Sequence, residues 1–166
     1  MLDLLWVTLA AGLAGFVDAI VGGGGLILLP TLFAVHPSAL PATLFGTNKA
    51  AAIGGTAWAC SQYARRVTMN WGTLAPAAVT ALLASFAGAW LVTMVPATGL
   101  RKALPLVLLV VLLYTLWRKD LGRVHAPHLS PRREAMRGSA IGAGIGFYDG
   151  FFGPGTGSFF VFLLVR

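Results

Sequence analysis

Two acidic residues each stand a few positions before a glycine cluster in this chain. Asp18 lies in the stretch GFVDAIVGGGG at residues 15–25, and Asp149 lies in GFYDGFFGPGTG at residues 146–157. The two stretches share five identical positions when they are aligned at a separation of 131 residues. This constant separation predicts an internal repeat. Because a helix opened by glycines exposes backbone N–H groups that bind anions, the chemistry expected at both places is anion binding beside a carboxylate.

The first apolar segment, residues 4–35, is too long for one plain helix. Its length would give about 48 Å of helix, whereas the hydrocarbon core of a bilayer measures about 30 Å. The run Gly22–Gly25 disfavours a continuous helix by roughly 4 kcal/mol relative to alanine. We therefore expect a broken or re-entrant segment whose freed backbone groups are buried in protein or line a wet cavity. The alternative is that these glycines only let two helices pack closely.

A lysine within the second apolar segment is the cation expected at this site. Lys49 lies in GTNKAAAIGGTAWA, beside Thr47 and Asn48. It would lie about 12 Å deep if the helix begins near Pro41. The N-terminus of a half-helix and a cation both favour an anion, and an acid beside them limits an unpaired charge. The alternative is that Lys49 extends its ammonium group to the membrane surface.

Together these residues define two predicted half-sites for a small anion. In the first half-site, Asp18 is expected to pair with Lys49 or to take part in proton coupling. In the second, Asp149 has the same role, and the matching lysine would lie beyond residue 166. For each acid the alternative is a structural role, in which it accepts hydrogen bonds from backbone freed by the break. The predicted substrate-binding residues are Gly22, Gly23, Gly24, Gly25, Thr47, Asn48, Lys49, Gly153, Gly155 and Thr156.

The composition places the chain in a lipid bilayer. Hydrophobic residues make up 57% of its 166 residues and charged residues only 10%, and the mean hydropathy is +0.81. Ordinary soluble domains carry about 25% charged residues. Despite the net charge of +7, no stretch interleaves basic and aromatic residues as in a nucleic-acid binder. Cys60 is the only cysteine, so no intramolecular disulfide is possible and no cysteine-based metal site is suggested. No cofactor is expected.

The pattern along the chain predicts an all-α integral membrane protein, a polytopic helical bundle with two internal repeats. Each repeat is expected to begin with a glycine-broken or re-entrant helix. Five apolar segments cover residues 4–35, 42–64, 71–95, 99–117 and 138–165. Residues 1–117 would form a first repeat of about four spans, 118–137 a basic loop, and 138–166 the start of an incomplete second repeat. Catalysis is not expected, since the spans hold no Ser–His or Cys–His pair and no metal-binding histidine pair.

Basic residues predict the orientation of the bundle. Six of the twelve Lys and Arg residues lie in the 118–137 connection, which the positive-inside rule assigns to the cytoplasm. If each apolar segment crosses the membrane once, the amino terminus lies on the same side. The four spans that separate the two glycine-broken segments would then make the repeats parallel.

Three motifs resemble the TauE/SafE family of membrane transporters, often described as sulfite or sulfonate exporters. They are GFVDAIVGGGGLILLPTL, ATLFGTNKAAAIGG and GFYDGFFGPGTGSFF, in this order. The resemblance implies transport of a small anion such as sulfite or a sulfonate across the cytoplasmic (inner) membrane. The alternatives are an anion channel and a partner subunit without its own activity. Family members resemble two complete halves, so this sequence is expected to need a missing second half or a homodimeric partner.

Overall fold

The computed structural model describes residues 2–117, 130–157 and 159, and these residues form helices and short connections without a strand. The helices are α1 (Leu2–Val21), α2 (Gly25–Val35), α3 (Pro41–Arg66), α4 (Trp71–Met94), α5 (Ala97–Trp117) and α6 (Pro131–Phe151). Within these described ranges, three stretches are long and apolar enough to cross a membrane, namely Leu2–Ile20, Trp71–Met94 and Ala97–Tyr114. The predicted all-helical membrane architecture is therefore confirmed, whereas the internal repeat stays a prediction.

The first apolar segment forms a hairpin of α1 and α2 around residues 22–24. Gly22 has a φ of +70°, which favours glycine, and its N–H group donates to the carbonyl oxygen of Asp18 at 2.9 Å. Leu28 and Leu32 of α2 then pack with Ala14 of α1 in one buried cluster. Because α2 has 11 residues, it returns along α1 for only about 16 Å.

This hairpin changes the topology that the sequence suggested. The third helix, α3, runs in the same direction as α1, since Leu44 packs with Ala14 and Asn48 lies beside Gly25. The start of α1 is therefore at the opposite end of the bundle from Arg66. The expectation that the amino terminus and the 118–137 loop lie on one side assumes a single crossing by residues 4–35, and that assumption does not hold in this arrangement. The prediction of parallel repeats rests on the same assumption. In the structure α6 runs alongside α4 in the same direction, and therefore opposite to α1.

Helix α6 packs along α4 with almost no space between the two backbones. A Cβ added at Gly142 would lie 2.7 Å from the carbonyl oxygen of Ala77, and one at Gly146 would lie 2.8 Å from the Cα of Ala81. The Thr80 hydroxyl also donates across this contact to the carbonyl oxygen of Ser139, at 3.1 Å. Since α6 begins at Pro131, its first turns contain basic residues that the sequence had suggested for a loop: Arg132, Arg133 and Arg137. The remaining part of that loop, 118–129, lies outside the described residues.

One buried cluster joins the middle helices of the bundle. It consists of Leu29, Phe45, Val92, Leu100 and Leu104, one or two from each of α2, α3, α4 and α5. Two aromatic residues at the end of α6, Phe151 and Phe152, pack against it. The cluster thus brings the end of α6 to the first third of α3, where Lys49 follows Phe45 by about one helical turn.

Candidate functional site

An ion pair between α3 and α6 lies at the centre of the candidate site. The Nζ atom of Lys49 donates to Oδ1 of Asp149, and the two side chains are 39% and 29% exposed. The ammonium group of Lys49 is therefore directed towards the end of α6. The sequence had paired Lys49 with Asp18. That pairing is not present because the end of α6, and not of α1, faces Lys49.

The turn after α6 completes the surroundings of Asp149. The Thr156 hydroxyl donates to Oδ1 of Asp149 at 2.6 Å and also lies 2.6 Å from the carbonyl oxygen of Gly153. Gly153 has a φ of +89°, and a Cβ at this position would lie 2.7 Å from Cε of Lys49 and 2.8 Å from its Nζ. Glycine is thus needed here for the backbone turn and for the approach of the lysine. The second positive φ in the turn, +77°, belongs to Gly155.

Asp18 has a different environment from Asp149. Its Oδ1 atom accepts a hydrogen bond from the N–H group of Gly24, at 2.9 Å. This bond satisfies one of the donors left unpaired at the start of α2. A Cβ at position 24 would lie 2.6 Å from the carbonyl oxygen of Ala14, so a larger residue would not fit. The arrangement favours the structural role for Asp18, one of the two that its position in the sequence allowed.

The two glycine clusters meet beside Lys49. A Cβ at Gly157 would lie 3.2 Å from the Cα of Gly22, and one at Gly25 would lie 3.4 Å from the Cα of Pro154. Asn48, which is only 8% exposed, lies next to the same junction, with its Nδ2 atom 3.4 Å from the Cβ position of Gly25. The predicted glycine and asparagine residues are thus brought together with the ion pair.

Two predicted residues have other contacts. The hydroxyl of Thr47 donates to the carbonyl oxygen of Thr43 at 2.9 Å, on an exposed side of α3. The position of Thr47 does not support the predicted role in substrate binding, because its side chain points away from the junction. Gly23 contributes a carbonyl oxygen that accepts the N–H group of Leu26 at 3.0 Å, within the hairpin turn.

Two cavities of different character lie near the junction. A small one of about 130 Å³ is lined by polar and small residues: Asp18, Gly24, Gly25, Asn48, Ala51 and Ala52 among them. A larger groove of about 800 Å³ lies between α2 and α5, and its lining is apolar apart from Arg101. The groove contains none of the predicted site residues, whereas the smaller cavity is lined by four of them, Asp18, Gly24, Gly25 and Asn48, but not by Lys49. In the described part of the chain, no three His, Cys, Asp or Glu residues are grouped as metal ligands would be.

Sequence reasoning missed two features of this site. The hydroxyl of Tyr148 donates to the carbonyl oxygen of Pro154 at 2.9 Å and so bridges the second turn, for which the sequence offers no signal beyond proximity. The close contact of α6 with α4 has a visible signal, because Gly138, Gly142, Gly146 and Gly150 recur every fourth residue. Such spacing is typical of closely packed membrane helices.

Comparison with known proteins identifies the family. The family model described as sulfite exporter TauE/SafE matches residues 7–166. A "Probable membrane transporter protein ORF9" from Sinorhizobium sp is 38% identical over 160 residues, which are 95% of this chain and 59% of that protein. The "Probable membrane transporter protein YfcA" of Escherichia coli K12 is 38% identical over 159 residues, or 93% and 56% of the two chains. A "Probable membrane transporter protein" of Haemophilus influenzae is 35% identical over 162 residues, or 95% and 60%.

No solved structure matches the chain. The chain spans 56–60% of the length of these three relatives. Their names point to transport and not to catalysis. Because the family model covers nearly the whole chain, including both glycine clusters and Lys49, the chain belongs to the sulfite exporter TauE/SafE family of membrane transporters.

Proposed function

We propose that this protein carries a small anion, such as sulfite or a sulfonate, across the cytoplasmic membrane, with Lys49 as the group that binds it. The observation that carries the proposal is the ion pair of Lys49 and Asp149 at the junction of the two glycine clusters. Lys49 is partly buried on α3, and a lysine inside the bundle of a membrane protein is costly, so its position between two turned backbone segments favours a functional role. The names of the relatives support transport in general, and the choice of an anion follows from the positive charge of Lys49.

The ion pair suggests how binding and proton transfer are coupled. When Asp149 is ionised it neutralises Lys49, and an incoming anion must compete with the carboxylate. When Asp149 takes up a proton, the ammonium group of Lys49 is released and can bind the anion. One proton and one monovalent anion then enter the site together, which leaves its net charge unchanged. Thr156 would stay hydrogen-bonded to Asp149 and hold it in place.

The transporting species is proposed to be larger than the described bundle. The chain spans 56–60% of the length of its relatives, and small glycine-containing faces of α1 and α3 are exposed. For example, a Cβ added at Gly15 or at Gly54 would meet no atom within 4 Å. A second repeat or a second copy of the chain would cover these faces.

The orientation is part of the proposal. Arg65 and Arg66 end α3 at the same end of the bundle as the start of α6, which carries Arg132, Arg133 and Arg137. The positive-inside rule favours this end, with the 118–137 connection, as the cytoplasmic side. Since α1 runs parallel to α3, its start would then lie at the periplasmic side.

Uptake into proteoliposomes tests the proposal. Labelled sulfite is added outside vesicles that contain the full-length transporter, under an inward proton gradient. We expect saturable uptake that Lys49→Ala abolishes, whereas Lys102→Ala, a change at an exposed lysine, leaves it unchanged. Uptake that does not saturate would indicate a channel. Normal uptake by Lys49→Ala would exclude Lys49 as the binding group.

A further inference from the structure

Helices α1 and α6 share a glycine and an aspartate at aligned positions, but only in α6 do both of these residues meet another helix. The aligned residues are Gly15 and Gly146, and Asp18 and Asp149. In α6, Gly146 lies against Ala81 and Asp149 binds Lys49. In α1, by contrast, a Cβ at Gly15 would meet no atom within 4 Å.

The carboxylate of Asp18 is exposed and incompletely paired. It accepts the N–H group of Gly24 at Oδ1, and it forms no ion pair with any described residue. An ionised group on a membrane helix is costly unless it meets a partner or water. The cavity of about 130 Å³ next to it leaves room for a further side chain.

The surface around this carboxylate is suited to another helix. Ala11 and Gly15 of α1 and Ala51 and Ala52 of α3 line the cavity with Asp18, and we call these five residues the Asp18 face. Small residues allow a second helix to approach closely. The negative charge at the centre of the face requires a positive group on that helix.

We propose that the Asp18 face binds a membrane helix that carries a lysine among small residues, as α3 carries Lys49, and that this helix belongs to the second repeat of the full-length transporter. The relatives have the additional length to supply it. Each repeat would then provide the lysine that binds the acid of the other. A second copy of this chain fits less well, because its Lys49 is already bound to its own Asp149. The pairing goes beyond the proposed transport function and does not depend on which substrate is carried.

A peptide with the sequence of α3, residues 41–66, is a suitable probe. It is synthesised with serine in place of Cys60 and a donor fluorophore, and the 166-residue chain carries the acceptor on its own exposed Cys60. Binding is measured by energy transfer in phosphatidylcholine vesicles. We expect the Lys49 peptide to bind at least about fivefold more tightly than a Lys49→Ala peptide, as for other charge pairs in low-dielectric surroundings.

Variants of the chain assign this preference to Asp18. The tighter binding of the Lys49 peptide should vanish with Asp18→Asn, whose amide oxygen can still accept a hydrogen bond from the Gly24 N–H group. It should persist with Asp18→Glu and with the control Asp3→Asn. Circular dichroism verifies that each variant remains helical. Equal binding of both peptides would refute the proposal. A preference for the Lys49 peptide that depends on Asp149 and not on Asp18 would also refute it. Self-association of the chain through Asp18 would refute it as well, because the partner would then be a second copy of the chain.

Discussion

Lys49 and Asp149 form an ion pair across 100 residues of sequence, and the pair connects the two glycine-containing regions of the chain. Lys49 is supplied by α3, which follows the first glycine cluster, whereas Asp149 precedes the second cluster on α6. The charged groups therefore link the two parts of the molecule and do not act within one part.

Removal of one partner of this pair should destabilise the bundle. Asp149→Leu leaves the Lys49 ammonium without a carboxylate in an apolar environment, and we expect a loss of about 1–3 kcal/mol, because both side chains are only partly buried. The double variant Lys49→Met/Asp149→Leu should recover most of this loss, since neither charge remains. Thermal unfolding in detergent measures both. A double variant less stable than the single one would contradict the expectation.

Gly153 should tolerate no side chain. Alanine at this position would adopt an unfavourable positive φ and would meet Cε and Nζ of Lys49. We expect Gly153→Ala to lower stability by about 1–3 kcal/mol and to displace Lys49 from Asp149. Gly144→Ala is the matched control, because its Cβ would meet no atom within 4 Å and alanine favours a helix. Similar unfolding temperatures for the two variants would show that the turn is less restricted.

The contact of α4 with α6 should depend on the size of residue 146. A Cβ there would lie 2.8 Å from the Cα of Ala81, so Gly146→Ala must separate the helices. We expect a loss of about 1–3 kcal/mol, as in other overpacked interfaces. The control is Gly54→Ala, at an open position of α3. Cysteines at Ala77 and Gly138, whose Cβ positions lie 3.7 Å apart, would report in a Cys60→Ser background whether the helices remain adjacent, since their disulfide should form only in the native contact.

The sequence indicated several residues that the structure brings together, but not how they pair with one another. The glycine clusters, Asn48, Lys49 and Asp149 were identified because polar and helix-breaking residues are costly within apolar spans. The pairing of Lys49 with Asp149 was not identified, because an apolar pattern locates helices along the sequence and contains no information on which helix packs against which. For the same reason the return of α2 along α1 could not be predicted, although the excess length of residues 4–35 indicated an interruption.

Topology should follow the direction of α1 in the hairpin. A reporter inserted at Pro127 should be cytoplasmic, as the surrounding Lys and Arg residues require. A tag placed before Leu2 should be accessible from the periplasm, because α1 runs parallel to α3 and α3 ends at the basic side. Protease treatment of spheroplasts checks the tag, with the Pro127 insertion as the protected control. A protected tag before Leu2 would contradict the hairpin arrangement in the membrane.

The pH dependence of uptake should depend on Asp149. In the proposed mechanism, a proton on Asp149 releases Lys49, so anion uptake by the full-length transporter rises when the external pH falls. Asp149→Asn imitates the protonated, uncharged state, since its amide is neutral and can still accept a hydrogen bond from Thr156. We expect this variant to take up anion at a rate that no longer changes with external pH. Asp3→Asn is the matched control, because Asp3 is an exposed acid in the first turn of α1, outside the site, and it should keep the pH profile of the unmodified protein. Lys49→Arg should keep only part of the activity of the unmodified protein, because the planar guanidinium cannot replace the compact ammonium group in the space beside Gly153.

Initial rates of labelled sulfite uptake, measured across the pH range at fixed membrane potential, test all three variants. Each variant is compared with the unmodified protein at the same pH, which corrects for protonation of the substrate. If Asp149→Asn keeps the pH dependence of the unmodified protein, the mechanism proposed for Lys49 and Asp149 is wrong.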